Sequence, residues 1–282
     1  MIDLSNAQFL GRAVARSDGR GPDMGEYALV DGARTYYEVR GQGEPLVLLH
    51  GGGVTADSWS AQIPALAERF RVYAPERRGH GRTPDVAGPV SSGLLAADTV
   101  ALLEQLGTGP VHLVGWSAGG TVALRVALSR PDLVRKLVLI STGISRDGST
   151  PADLALVHGS NEEELAALFR PQYEPLSPDG PEHFPVVFAK WLRMWREEPD
   201  IELSALAGLP MPVLVMQGDD DGVRVEHSAA VAAALPDAQL AVVPGTSHAL
   251  PLEKPELVNR LLLDFLAEEQ PRRLFPLGAI SG

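Results

Sequence analysis

The chain contains no cysteine. Disulfides, thiolate catalysis and zinc held by thiolates are thereby excluded, and the redox compartment cannot be read. Basic residues are also short: 24 Lys and Arg stand against 36 Asp and Glu, a formal net charge of −12. A general nucleic-acid or anionic-membrane binder carries a basic footprint, so neither nucleic acid nor membrane is an expected partner. No apolar run approaches a membrane span, and residues 1–25 lack the apolar stretch of a secretory signal. A cytoplasmic protein is the resulting expectation. Neither a dinucleotide-binding glycine motif nor a His and carboxylate cluster at metal spacing is found. Gly51-Gly52-Gly53 follows a strand-like run, but no Gly-Lys-Ser/Thr comes after it to cradle a phosphate. No metal or organic cofactor is implied.

What remains is ordinary globular composition. The 282 residues are 45% hydrophobic and 21% charged, with a mean hydropathy near zero. That length suits one large α/β domain carrying an inserted subdomain.

Residues 1–24 are polar and read as a loose arm. Residues 27–30 and 35–39 read as two strands joined around Asp31-Gly32, a hairpin signal. Residues 45–49 form a continuous apolar run of the kind buried on both faces of a parallel sheet, and the run ends in His50-Gly51-Gly52-Gly53. An amphipathic helix is expected over 58–70, a strand over 72–74, a loop over 77–82 and a helix over 94–106. Further strands are expected at 111–115, 136–140, 212–216 and 240–243, and further helices at 121–129, 225–235 and 256–267. This alternation predicts a doubly wound, mostly parallel sheet. It breaks over 145–209, where seven prolines fall among short helix-like pieces. The expected organisation is a core of 25–144 and 210–268, a helical cap of 145–209 over the carboxyl edge of the sheet, and a tail of 269–282. Phe184, Phe188, Trp191 and Trp195 share one helical face in the cap, as internal packing, as a pocket wall, or as both.

The stretch with most chemistry is Gly115-Trp116-Ser117-Ala118-Gly119, a strand running at once into a helix. The spacing is that of a nucleophile elbow. So sharp a turn forces positive φ on Ser117, at roughly 1–3 kcal/mol. Gly115 and Gly119 avoid side chains that would clash in the crowded turn, and the serine hydroxyl is pushed clear.

A serine nucleophile needs a base, and the base an orienting acid. Of seven histidines, only His248 follows the carboxyl end of a strand, where ligand sites of open α/β sheets form. His112 lies within a strand, His158, His183 and His227 in the insertion or on a helix, and His50 and His80 in glycine-rich turns that imidazoles commonly anchor. The acid should follow another strand, and Gly218-Asp219-Asp220-Asp221 offers three candidates. Asp219 is near enough to the strand to serve its own turn, and Asp220 is expected to face solvent. Asp221 is the choice, as the third residue after the glycine. The strand ending at Ile140 runs into Ser141-Thr142-Gly143 and offers no carboxylate.

The order Ser117, Asp221, His248, with His50-Gly51-Gly52-Gly53, Arg78-Gly79-His80-Gly81 and Ser247-His248, resembles the α/β-hydrolase superfamily over roughly 25–268. That resemblance implies the α/β-hydrolase fold. It makes Ser117 the nucleophile, His248 the general base and later acid, and Asp221 the residue that orients the imidazole. It also implies an oxyanion hole from the N–H groups of Gly52 and Ala118. Glu76 stands where relatives often have Asp. Trp116 stands where esterases with the His-Gly-Gly-Gly turn usually have an acidic residue. Serine rather than aspartate at the elbow argues against haloalkane dehalogenase or epoxide hydrolase chemistry.

The expected function is a serine hydrolase that cleaves an ester or lactone of a small, largely apolar molecule. Trp116, Phe188 and Trp191 are the substrate-binding candidates. Carbon–carbon bond hydrolysis, a lyase or other non-ester reaction on the same three residues, and non-enzymatic binding of a small molecule are the alternatives. Oligomeric state is not readable.

Overall fold

The computed structural model describes residues 25–159, 161–267 and 274. The expected arm, 1–24, lies outside the described residues, as does the tail apart from Leu274.

Eight strands form one sheet: β1 (Gly25–Val30), β2 (Ala33–Arg40), β3 (Glu44–Leu49), β4 (Phe70–Pro75), β5 (Val111–Trp116), β6 (Val134–Ile140), β7 (Val213–Asp220) and β8 (Ala238–Ser247). Their spatial order is β1-β2-β4-β3-β5-β6-β7-β8. β1 and β2 join antiparallel, as does β2 with β4, and every pairing from β4 to β8 is parallel. The hairpin turns at Asp31-Gly32, both at positive φ. β4 lies on one side of β3 and β5 on the other, so the winding reverses between β3 and β5. Their carboxyl ends are level, with Leu49 paired to Gly115. Crevices at such reversals are where doubly wound sheets bind ligands.

Strand period 2 divides the core. Val47, Leu49, Leu113, Leu137 and Leu139 point to one face. Leu46, Leu48, Val114, Val138 and Ile140 point to the other. The longer helices are α1 (Ser92–Leu106), α2 (Ala118–Ser129), α3 (Pro151–His158), α4 (Glu162–Tyr173), α5 (Phe184–Glu197), α6 (Val225–Ala234) and α7 (Pro255–Leu266), and α1, α2, α6 and α7 pack on the two faces of the sheet. Local chemistry sets their ends. Ser91 caps α1 by accepting the Leu94 N–H at 3.1 Å, and Gly107 closes it at φ 60°. Thr150 caps α3 ahead of Pro151, accepting the Asp153 N–H at 3.2 Å.

Two expectations need correction. The helix expected over 58–70 is a 3-10 turn at Ala56–Trp59 and a single α-turn at Ile63–Leu66. Pro64 has no N–H for the carbonyl four residues back and disfavours continuation through it, so the helix restarts there. The last strand is ten residues long, Ala238–Ser247, rather than four. Its outer positions are exposed at the sheet edge, where apolar alternation gives no signal.

Between β6 and β7 the chain forms α3, α4 and α5. They build a separate apolar cluster of Leu165, Tyr173, Phe184, Val187, Phe188 and Trp191. Two ion clusters tie α5 to the sheet domain. Lys190 and His183 bind Asp85 at 2.6 and 2.9 Å. At the other end, Glu198 accepts the Ser92 N–H at 2.9 Å, the Ser92 hydroxyl at 2.6 Å and Arg125 Nη2 at 2.9 Å. Among the described residues, no helix is long and apolar enough to cross a membrane.

Candidate active site

Ser117 turns the chain from β5 into α2 with φ 54° and ψ −122°. The glycines around it have no room for side chains. A Cβ on Gly115 would strike the Gly119 carbonyl, one on Gly119 the carbonyls of Leu49 and His50, and one on Gly120 the Thr142 hydroxyl. The Ser117 N–H is held by the Ile140 carbonyl at 2.8 Å, and its own carbonyl accepts the Gly120 N–H at 2.8 Å. After the fully buried β5, Ser117 and Ala118 are partly exposed.

His248 follows β8, and its Nε2 lies 2.9 Å from Ser117 Oγ. Its Nδ1 lies 2.7 Å from Asp221 Oδ1, beyond the end of β7. The three side chains, 131 and 27 residues apart in sequence, thus form one hydrogen-bonded line. With Nδ1–H donated to the carboxylate, Nε2 is the free base facing the hydroxyl. The His248 side chain is 42% exposed while that of Asp221 is fully buried. The imidazole can meet a substrate; the carboxylate meets only protein.

Electrostatics follow from these partners. Burial alone would lower the pKa of His248, but the hydrogen bond to Asp221 and its charge outweigh this and raise it. Burial alone would raise Asp221, but the bond to His248, its charge, and the donors Ser141 and Val223 N–H hold it below the usual carboxylate range. Ser141 Oγ donates to Asp221 Oδ2 at 2.5 Å, and the Val223 N–H to Oδ1 at 3.1 Å. Asp219, expected to serve its own turn, instead reaches across to β8 and accepts the Thr246 N–H at 3.1 Å. Asp219 and Asp220 are exposed.

Gly51 and Gly52 flank this line at the end of β3. A Cβ on Gly51 would meet Ser117 Cβ at 3.8 Å. Ala118 opens α2, where the helix N-terminus leaves N–H groups unpaired and favours negative charge. Gly52 follows Gly51 in this turn, and Ala118 follows Ser117 at the helix start.

The aromatic candidates separate. Trp116 is buried edge-on against Trp59, 6.1 Å between centroids, and its Nε1–H donates to the His248 carbonyl at 2.9 Å. Trp191 is buried and stacks on His80 at 4.4 Å. Phe188 is buried and stacks on Phe184 at 5.6 Å. The rings lying directly on the glycine turn are others: Trp195 against Gly52 and Phe169 against Gly53, with 5.5 Å between them. Both are partly exposed. Trp195 was visible as a member of the aromatic stripe. Phe169 and Ser141 carried no signal of their own.

The other histidines have partners of a different kind. His80 Nε2 accepts the Gly53 N–H at 3.2 Å, His227 Nε2 accepts the Ile144 N–H at 3.1 Å, and His112 lies 3.2 Å from Glu44. Among the described residues, no three His, Asp or Glu side chains are gathered so as to hold a metal ion.

Comparison with known proteins agrees with this architecture. Residues 46–261 match the model of the alpha/beta hydrolase family. The chain is 31% identical over 268 residues to a non-heme haloperoxidase of Rhodococcus erythropolis, covering 84% of this chain and 97% of that protein. It is 29% identical over 268 residues to a 2-hydroxy-6-oxo-6-phenylhexa-2,4-dienoate hydrolase of Burkholderia cepacia, covering 83% and 91%. The solved structure of an N-acyl homoserine lactone degrading enzyme matches with a TM-score of 0.71 at 26% identity, over 86% of this chain and all of the other.

Proposed function

The chain belongs to the alpha/beta hydrolase family, and we propose that within it the protein is a serine hydrolase cleaving an ester or lactone of a small, largely apolar molecule. The observation that carries this reading is His248, bonded at 2.9 Å to Ser117 and at 2.7 Å to Asp221. Likeness to a lactone-degrading enzyme supports it.

In this reading Ser117 Oγ attacks the carbonyl carbon while its proton passes to His248 Nε2. The carbonyl electron pair moves onto oxygen, which the N–H groups of Gly52 and Ala118 bind; each donor contributes roughly 3–4 kcal/mol in the transition state. When the intermediate collapses, the bond to the leaving oxygen breaks and His248 gives that oxygen its proton. A lactone opens without losing its alcohol, since both ends stay on one molecule. Water then attacks the acyl-enzyme, with its proton going to His248, and Ser117 departs reprotonated. Asp221 stays ionised throughout and stabilises the imidazolium.

The segment 145–209 acts as the cap in this reading. Trp195 and Phe169 bound the substrate at the glycine turn, Trp191 and Phe188 support that wall from behind, and Trp116 acts through the His248 backbone. An apolar wall with an acidic surface outside suits a neutral substrate.

Fluorophosphonate labelling followed by intact mass, on wild type, Ser117→Ala and His248→Ala, is the direct test. Stoichiometric labelling of the wild type alone is expected, followed by turnover of an ester and lactone panel. A folded wild type that takes no label would overturn the reading. Similarity to the Burkholderia cepacia hydrolase favours one second reading, carbon–carbon bond hydrolysis of a vinylogous diketone. It predicts poor ester turnover and a greater dependence on His248 than on Ser117.

A further inference from the structure

Three glycines in a row, 51–53, leave the backbone beside Ser117 free to rotate, since no side chain restricts it. An N–H aimed at a reacting oxygen needs that freedom removed. The ends of the turn are tied down from outside. His80 Nε2 holds the Gly53 N–H at 3.2 Å. At the other end, Arg77 Nη2 donates to the Gly51 carbonyl at 2.7 Å and to the His50 carbonyl at 2.5 Å. His50 joins it. Its Nε2 accepts the Arg77 backbone N–H at 3.2 Å, which leaves Nδ1 as the protonated nitrogen, 2.7 Å from the Gly51 carbonyl. The 3.1 Å approach of Nη2 to Nδ1 is then a contact between two donors. In a planar trans peptide the carbonyl of one residue and the N–H of the next point in opposite directions. Fixing the Gly51 oxygen inward therefore turns the Gly52 N–H outward, and among the described residues no protein acceptor takes it.

Arg77 is an expensive choice for a strut. It is 5% exposed, it pairs with no carboxylate among the described residues, and its Nε and Nη1 have no hydrogen-bond partner there. A buried, unpaired cation is disfavoured unless its charge is used. Here the charge is bonded to the very peptide whose N–H faces the site. It polarises that peptide and adds positive potential behind the position of a developing oxyanion.

We propose that Arg77, assisted by His50, is a positioning residue that clamps the Gly51 carbonyl and so aims and strengthens the Gly52 N–H as an oxyanion donor. The proposal rests on the serine hydrolase reading, in which that N–H binds the oxyanion.

The test compares wild type, Arg77→Met, Arg77→Gln and Arg77→Lys. The readouts are p-nitrophenyl ester kinetics, affinity for an aryl trifluoromethyl ketone that adds to the serine, and the Gly52 amide signal in glycine-labelled protein. Loss of the clamp in Arg77→Met should lower kcat about 10²-fold, with KM changed less than about threefold. Ketone affinity should fall by the same factor, and the Gly52 amide should shift. Arg77→Lys should recover at least part of both losses. If Arg77→Met does not fold, Arg77→Gln, which keeps one donor without the charge, supplies the comparison. A folded variant with wild-type kcat, ketone affinity and Gly52 signal overturns the proposal. So does a lysine variant no better than methionine. Wild type that fails to take a fluorophosphonate on Ser117 removes the hydrolase reading itself, and this role with it.

Discussion

Ser141 donates its hydroxyl proton to Asp221 at 2.5 Å. Ser141 follows β6 and Asp221 follows β7, and these strands are neighbours in the sheet. Ser141 itself is buried and held at φ 49°, a conformation that side chains disfavour. The site thus contains a second strained serine, aimed at the acid rather than at the substrate. Ser141→Ala should remove a hydrogen bond to a charged acceptor, worth about 1.5–3 kcal/mol. Steady-state kinetics should show kcat falling about tenfold or more, with the fold intact by circular dichroism.

The pH profile should follow His248. Its pKa is raised by Asp221, so the neutral base is lost on acidification at a midpoint above the ordinary 6.5. The acid limb of kcat/KM should lie there. In Asp221→Asn the strongest raising partner is gone, leaving burial against the lesser pull of the Asp153 and Glu253 charges, which moves the limb down. The loss of the orienting carboxylate should also lower kcat by about 10⁴-fold. An acid limb that stays in place in Asp221→Asn would break this link between the two residues.

Strain at the elbow can be weighed by calorimetry. Ser117 adopts φ 54° and ψ −122°, at a cost of roughly 1–3 kcal/mol for a residue with a side chain. Glycine relieves this at about 0.5–1 kcal/mol of backbone entropy. Both Ser117→Ala and Ser117→Gly should be inactive, but the glycine variant should have the higher Tm. Equal values, or a more stable alanine variant, would show that the elbow stores no such strain.

Glu198 should matter more than its charge alone suggests. It satisfies Ser92 twice and Arg125 once, with side chains only 19% and 23% exposed for Glu198 and Arg125. Glu198→Ala should cost about 1–3 kcal/mol and speed proteolysis within 145–209. Glu197→Ala removes only an exposed pair with Arg193, for which about 0–1 kcal/mol is typical. Thermal melts of the two variants, side by side, measure the difference.

Legibility in the sequence followed the range of the interaction. Gly115, Ser117 and Gly119 lie within five residues, so the turn they form could be read from their spacing. The apolar runs of β3 and β6 announced buried strands, and the alternation of strands with helical stretches predicted the parallel sheet. The 58–70 segment misled because apolar spacing spoke for a helix while Pro64 spoke against it, and the proline prevailed.

Ser141 had no local mark, since a serine after a strand is unremarkable until β7 is laid beside β6. Trp195 and Phe169 come from different helices, and only the packing of α4 and α5 brings their rings onto Gly52 and Gly53. Arg77 reads as one of two arginines in a turn; its partners His50 and Gly51 lie 27 and 26 residues away.

By itself, then, the sequence determined the strands, the elbow, and which residue types stand at strand ends, because these depend on local sterics and on hydrophobic periodicity. The tertiary structure alone decided which oxygen faces which nitrogen: the 2.9 Å between Ser117 and His248, and the grip of Arg77 on Gly51. Those contacts depend on strand order and register, which bring together residues that no spacing along the chain connects.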